Sequence, residues 1–218
     1  MAKVTAPLFG FNAAGSVGQA ITFATWRGVK YSKRYTTPSN PRSTAQTLTR
    51  DIFTSLNQFW KLAPSGLVEP WTYYASGRSF LNRNAFIGQN IAVLRNDTPL
   101  ASMETMIASP GSGGGSAPSA IAVTPGSNQL SLALTLPDVP TGWTLTASRA
   151  IAFIDQAPSA TFSTEIVYNR ETTTPQTNVI TGLTASELYV VAAFLEWTKP
   201  DGTLAFSVGI NDTGTPTA

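Results

Sequence analysis

A run of small residues near the middle of the 218-residue chain constrains its fold more than any other feature. Residues 109–118 consist only of Gly, Ser, Pro and Ala, and such side chains bury little apolar surface. Helical spacing of apolar residues dominates before this run, and period-two alternation dominates after it. We therefore expect a basic α+β docking module over residues 1–107, a flexible Gly/Ser/Pro linker over residues 108–119 and an all-β sandwich over residues 120–218.

The charges divide the chain in a similar way. Residues 1–100 contain eleven Lys and Arg against three Asp and Glu, whereas the remaining residues contain three against nine. The formal charges of the two parts are therefore +8 and −6. Such an asymmetry indicates two modules with different partners, or modules whose faces attract one another in an array of copies.

The composition argues against catalysis. The chain has no Cys and no His, so it lacks thiolate ligands, the usual general base and the commonest metal ligand. No Ser lies in a persuasive Ser-x-x-Lys context, and the carboxylates are scattered along the sequence. We expect a protein that is not an enzyme and has no catalytic residue, cofactor or metal site.

The N-terminal part predicts a β-hairpin. Residues 19–26 alternate in a strand-like way, Arg27-Gly28 form a two-residue turn, and the alternation resumes up to Tyr35. Four cations lie on or beside this ribbon, which leaves two interpretations open. The ribbon either grips phosphates through Lys and Arg among aromatic side chains, or it is an edge hairpin kept soluble by its charges, and we favour the second interpretation.

Helix signals follow the hairpin. Ser43 and Gln46 have the spacing of a capping box, and apolar residues then recur at three- and four-residue steps until Pro64. A second helix is predicted to begin at Pro70, because proline is favoured in a first turn. The apolar residues around Phe86 and Ile91 indicate a third helix.

After the linker the pattern is that of a β-sandwich. Leu residues at positions 130, 132, 134 and 136 alternate with smaller or polar residues, and turn residues follow at short intervals. About six or seven strands are expected in fewer than 100 residues. The predicted strands cover residues 129–136, 144–154, 165–169, 178–180, 188–197 and 204–210.

The N-terminal part contains four motifs in a fixed order: Gly15-Ser16-Val17-Gly18, Trp26-Arg27-Gly28, Asn40-Pro41-Arg42-Ser43-Thr44-Ala45-Gln46 with Arg50, and Asn84-Ala85-Phe86-Ile87. In this order they resemble those of a family of small virion structural proteins of tailed phages and prophages. The resemblance covers nearly all of residues 1–95. It departs slightly from the family pattern in having Ser43-Thr44 where the family usually has a single Thr.

A second resemblance lies in the C-terminal part. Residues 181–193 are similar to the Gly-Leu-x-x-x-x-x-Tyr-x-Val segment of fibronectin type III domains, in which the tyrosine packs at a corner of the sandwich. The early Trp of those domains is missing from the strand that contains Leu130. This resemblance implies an immunoglobulin-like sandwich, a fold that decorates many phage heads and tails.

These resemblances imply a phage virion structural protein, most simply a capsid decoration or minor capsid protein acting by multivalent assembly. A tail-tube or neck component and a nucleic-acid-binding protein are the alternatives. The expected partners are major capsid or tail proteins and further copies of the chain in a symmetric array, with nucleic acid as a less favoured partner. The predicted docking surface comprises Trp26, Arg27, Lys30, Tyr31, Lys33, Arg34, Tyr35, Arg42 and Arg50.

Two further expectations concern location and glycans. The sequence has no apolar run of eighteen residues and no signal-peptide pattern, so we expect synthesis in the host cytoplasm, no membrane partner and a final place in the virion. A glycan-binding role for the sandwich would instead use exposed aromatic residues such as Trp143 or Trp197.

Overall fold

The structure is a computed structural model that describes residues 2–3, 14–37, 39–40, 42–96, 102–161 and 165–218. It divides the chain into two compact units, Met1–Arg42 and Ser43–Ala218. Neither boundary of the predicted linker coincides with this division.

The described residues of the first unit form a four-stranded antiparallel sheet with the strand order β1-β4-β3-β2. Arg27 and Gly28 connect β3 to β4 and have φ angles of +47° and +78°. Positive φ at both central residues is the signature of the type I′ turn, whose twist matches that of the flanking strands. The predicted hairpin is confirmed. The strands are β1 (Ala2–Lys3), β2 (Gly15–Val17), β3 (Ile21–Trp26) and β4 (Val29–Arg34).

The second unit begins with three helices, α1 (Thr44–Leu62), α2 (Ser65–Ala75) and α3 (Asn82–Leu94). The sequence predicted the start of α1 correctly, because Ser43 is the N-cap residue. Its side chain makes no capping hydrogen bond, however, so the bond expected from the capping box is absent. In the part of the chain that the structure describes, nine strands follow the helices: β5 (Pro110–Ser112), β6 (Ala120–Gly126), β7 (Gln129–Thr135), β8 (Thr144–Ile154), β9 (Ile166–Glu171), β10 (Thr177–Thr181), β11 (Tyr189–Thr198), β12 (Leu204–Val208) and β13 (Ile210–Gly214).

These strands form two antiparallel sheets. The larger has the order β5-β12-β11-β8-β9, with β13 also paired to β11, and the smaller has the order β10-β7-β6. All six strand predictions after the linker are confirmed, and the one over residues 204–210 resolves into β12 and the start of β13 on either side of Gly209. Strands β5 and β6 were not predicted.

The larger sheet is buried on both faces. Ile151, Phe153 and Phe194 pack with the helices in one apolar cluster, whereas Val191 and Leu195 belong to a second cluster with the smaller sheet. Residues 189–197 of β11 are accordingly all buried, as expected for a strand between two layers. The α+β class with a β-sandwich is therefore confirmed. The helices, the larger sheet and the smaller sheet form three layers of one unit.

The segment expected to be a flexible linker is part of this fold. Ser109 is fully buried, and β5 pairs with β12. Trp197 Nε1 donates a hydrogen bond to the carbonyl of Ser116 at 3.0 Å. A Cβ at Gly115 would lie 2.7 Å from Trp197 Cδ1. The small residues thus allow close approach of the backbone to a packed core, a role that composition does not distinguish from flexibility.

Gly115→Ala tests this assignment. We expect it to lower the free energy of unfolding by about 1–3 kcal/mol, the usual range for overpacking a core. Urea denaturation followed by tryptophan fluorescence measures the change. A variant as stable as the wild type would show that residue 115 lies in a loose tether after all.

Pro70 lies inside α2, so the prediction that this helix begins at Pro70 was wrong. A proline in a helix cannot donate to the carbonyl four residues earlier, which here is that of Gly66. Arg149 of β8 supplies the missing donor, because its Nη1 lies 2.9 Å from the Gly66 carbonyl oxygen. The sheet therefore satisfies the backbone group that the proline leaves without its helical partner.

Candidate docking surface

Among the described residues of the first unit beyond β1, no side chain is buried. Four large apolar side chains are exposed: Val17 (56 %), Ile21 (45 %), Trp26 (66 %) and Val29 (41 %). A small sheet is stable in water only when a hydrophobic face packs against something. The sheet therefore presents surface that a partner can cover.

Strand register assigns the side chains to two faces, because residues directly opposite each other share a face. One face, here called the Trp26 face, contains the pairs Trp26–Val29, Ala24–Tyr31 and Thr22–Lys33. The other, here called the Phe23 face, contains Ile21–Arg34, Phe23–Ser32 and Thr25–Lys30, with Val17 of β2 opposite Ile21. Each face combines apolar and cationic side chains.

The nine predicted docking residues do not form one surface. The Trp26 face holds three of them, the Phe23 face holds two, and the turn holds Arg27. Tyr35 follows β4, and its N–H donates to the Ala20 carbonyl at 2.8 Å. Arg42 is the last residue of the first unit and Arg50 lies in α1 of the second. The face residues are Trp26, Tyr31 and Lys33 on one side and Lys30 and Arg34 on the other.

The two structural units also differ in charge. Residues 1–42 contain six Lys and Arg and no Asp or Glu, whereas residues 43–218 contain eight Lys and Arg and twelve Asp and Glu. The two units therefore carry formal charges of +6 and −4. A strongly basic sheet attracts acidic partners over distances comparable to the Debye length.

The second unit contains a buried ion cluster that no sequence pattern predicted. Arg149 and Glu196 are only 4 % and 2 % exposed. Arg149 Nε and Nη2 lie 2.7 and 2.6 Å from Glu196 Oε2. Arg170 Nε and Nη2 donate to the two oxygens of the same carboxylate at 2.9 and 2.8 Å. One carboxylate thus bridges two arginines that lie opposite each other on β8 and β9.

Arg149 also connects the sheet to α2. Arg149 Nη2 lies 2.7 Å from Glu69 Oε2, and its Nη1 donates to the Gly66 carbonyl. The guanidinium carbon lies 4.9 Å from the centre of the Phe206 ring. The cluster therefore joins helix and sheet layers at one point. Only a prediction of which strands are neighbours could have identified it from the sequence.

The protonation states fit a structural role. Burial raises the pKa of Glu196, but the hydrogen bond from Arg170 and the charge and hydrogen bond of Arg149 outweigh burial, so the pKa lies below its ordinary value. The hydrogen bond to Glu196 likewise raises the pKa of Arg170 above its ordinary value. Both groups are held in their charged forms at neutral pH. A general acid or base needs a pKa near the working pH, which this arrangement disfavours.

The remaining surface offers small cavities. One of about 310 Å³ is lined by Tyr74, Phe80, Asn84, Ala85, Gly88 and Gln89, and another of about 280 Å³ by Glu104, Thr105, Met106, Ile107, Gly209 and Asn211. In the described part of the chain, no group of three or more Asp and Glu is placed to hold a metal ion. None of the described helices is both long and apolar enough to cross a membrane.

The aromatic residues suggested for glycan binding differ in accessibility. Trp197 is fully buried in the core, so the prediction that it offers an exposed platform was wrong. Trp143 is partly exposed, and Lys199 Nζ lies 5.8 Å from the centre of its ring.

Comparisons with known proteins place the chain in no family. No family model matches the sequence, and no curated protein matches it. Fifteen chains of solved structures match. One of them, described as "Myokine structure", is similar over 48 % of this chain and 100 % of that chain, with a TM-score of 0.34 and 13 % sequence identity. A similarity with so low a TM-score carries no information about the function of this chain.

Proposed function

We propose that this chain is a virion structural protein of a tailed phage, acting as a capsid decoration or minor capsid protein through multivalent protein–protein contacts. The observation that carries the proposal is the first unit, in which none of the described side chains beyond β1 is buried. A partner protein that covers Trp26 and Val29 removes them from water. The resemblance of residues 1–95 to phage virion proteins supports the same conclusion.

The proposed role of the second unit is that of a rigid, immunoglobulin-like body. The strand orders β10-β7-β6 and β9-β8-β11-β12 support this assignment, since they agree with the arrangement E-B-A and C′-C-F-G of such sandwiches. The Thr184 N–H donates to the Tyr189 hydroxyl oxygen at 3.0 Å, which resembles the tyrosine corner of these domains. A rigid body of this kind can project from a particle surface.

Multivalency explains how weak contacts suffice. In a symmetric shell or tube, each bound copy raises the effective concentration of the next contact. No catalytic residue is required for such a role. A tail-tube or neck component would use the same mechanism with a different partner, so the alternatives differ in which part of the particle binds the chain.

Nucleic acid is the second candidate partner, favoured by the charge of the first unit. All six of its charged residues are cationic. The register, however, places Lys33 on one face of the sheet and Lys30 and Arg34 on the other. A phosphate backbone lying along one face would contact only part of this charge.

Binding to purified particles tests the proposal. Full-length chain is mixed with nuclease-treated phage heads or tails that lack it, and the bound fraction is measured by co-sedimentation. Trp26→Ser should weaken binding at least tenfold, because exposed tryptophans that become buried dominate interface energies. Leu81→Ser is the matched control, since Leu81 is 70 % exposed but lies in the second unit.

The outcomes separate the candidates. Particle binding that Trp26→Ser weakens and Leu81→Ser leaves intact supports the proposal, and the component that binds distinguishes capsid from tail. Binding to duplex DNA that falls steeply with salt, without binding to particles, would favour the nucleic-acid alternative.

A further inference from the structure

The tip of the β3–β4 hairpin carries an exposed tryptophan and an arginine in contact with each other. Trp26 is the most exposed of the large apolar side chains described in the first unit, and the Arg27 guanidinium lies 5.0 Å from the centre of its ring. Trp and Arg are the residues most enriched at interface hot spots. Because the two side chains already stack, they lose little conformational freedom when they bind.

Charge restricts what can bind this tip. The first unit carries +6, so two copies of it repel each other and its occupant must be acidic. The second unit carries −4. A second copy of the chain therefore supplies a partner of opposite charge.

The acidic residues of the second unit include a group at one end of the larger sheet. Tyr189 at the start of β11 is opposite Ile154 at the end of β8, and the Asp155 N–H donates to the Leu188 carbonyl at 2.8 Å. The basic residues on or next to these strands, Arg149, Arg170 and Lys199, lie toward the other end. The residues of the acidic end are Glu104, Asp155, Glu187 and Asp212.

A cavity opens at the same end. Asn211 Nδ2 donates to the carbonyls of Glu104 and Met106 at 2.6 and 2.7 Å. Its amide oxygen, Oδ1, is buried and has no hydrogen-bond partner among the described residues. The cavity of about 280 Å³ lies just below the usual size of small-molecule pockets, so it suits a single side chain. A guanidinium in this cavity would bring donors for the carboxylate of the exposed Glu104.

We propose that the hairpin tip of one copy docks on the acidic end of the second unit of another copy, with Arg27 in this cavity. Leu188, 45 % exposed at the same end, offers apolar surface for Trp26. The contact is head-to-tail, so repeated docking builds a ring or a filament rather than a closed dimer. The inference rests on the proposed assembly function and names the partner as a further copy of the chain.

Two variants test the contact by complementation. The tip variant carries Trp26→Ser and Arg27→Glu, and the end variant carries Glu104→Lys and Glu187→Lys. Their masses are measured at low salt by sedimentation velocity, alone and mixed in equal amounts. Wild type should form species that grow with concentration and shrink with added salt, whereas each variant alone should remain a monomer.

The mixture gives the decisive result. The intact tip of the end variant should bind the intact end of the tip variant, and this pair should stop at a 1:1 dimer. A wild type that stays monomeric, or a mixture that fails to dimerise, would overturn the inference. If either double variant unfolds, Arg27→Glu and Glu187→Lys replace them in the same test.

The result is independent of the particle experiment. A chain that dimerises by complementation but never enters virions would overturn the proposed function and leave this contact. A chain that binds particles but fails complementation would overturn this contact and leave the proposed function.

Discussion

Replacing Glu196 with glutamine should lower the free energy of unfolding by about 3–5 kcal/mol, the range for removing one partner of a buried ion pair. The variant keeps the shape of the side chain but leaves the guanidinium of Arg149, only 4 % exposed, without its main counter-charge. Urea denaturation followed by the fluorescence of the buried Trp71 and Trp197 measures the loss. Glu187→Gln is the matched control, because Glu187 is exposed and should change stability by less than about 0.5 kcal/mol.

The effect should depend on pH. The pKa of Glu196 in the folded chain lies below its ordinary value of 4.5, so its charge stabilises the fold above that pH. This contribution is lost as the pH falls through the folded pKa. The stability difference between wild type and Glu196→Gln should therefore be full at pH 7 and should shrink below about pH 4.5. A difference that stays constant down to pH 3 would contradict the ion-pair account.

Gly66→Ala should lower the free energy of unfolding by about 1–3 kcal/mol. A Cβ at Gly66 would overlap the ring of Tyr168 on β9, which forces α2 away from the sheet. The displacement also weakens the bond from Arg149 to the Gly66 carbonyl. Thermal or urea unfolding measures the change.

A matched glycine and a double variant control this experiment. Gly88 lies in α3, and nothing lies within 4 Å of the position of a Cβ there. Gly88→Ala should therefore stabilise the chain by about 0.5–1 kcal/mol through helix propensity. Combining Gly66→Ala with Tyr168→Ala should cost less than the sum of the two single changes. Additive losses, or a neutral Gly66→Ala, would show that α2 does not pack against Tyr168 as described.

Local signals in the sequence predicted local structure well. The Arg27-Gly28 turn identified the hairpin because adjacent residues alone determine its geometry. The apolar spacing that starts after Ser43 located α1, and period-two alternation located six strands, because both periods reflect which face of an element is buried.

The predictions that failed concern features determined by residues that are distant in the sequence. Pro70 is tolerated inside α2 because Arg149, far along the chain, supplies a hydrogen bond to the carbonyl that the proline leaves free. The small residues around Gly115 pack against Trp197 rather than forming a tether. The ion cluster of Arg149, Arg170 and Glu196 depends on which strands become neighbours. Strand register likewise places the predicted docking residues on two faces of the sheet, because residues opposite each other on β3 and β4 share a face.

The most direct test of the central claim is the copy number of this chain in purified virions. The proposed function makes this chain the product of a tailed phage. Particles of that phage are banded on a density gradient, treated with nuclease and digested for quantitative mass spectrometry against the major capsid protein. We expect several copies per particle, in a constant ratio to the capsid or tail protein that binds the chain. Its absence from nuclease-treated particles, together with its presence in the lysate of infected cells, would contradict the assignment as a virion structural protein.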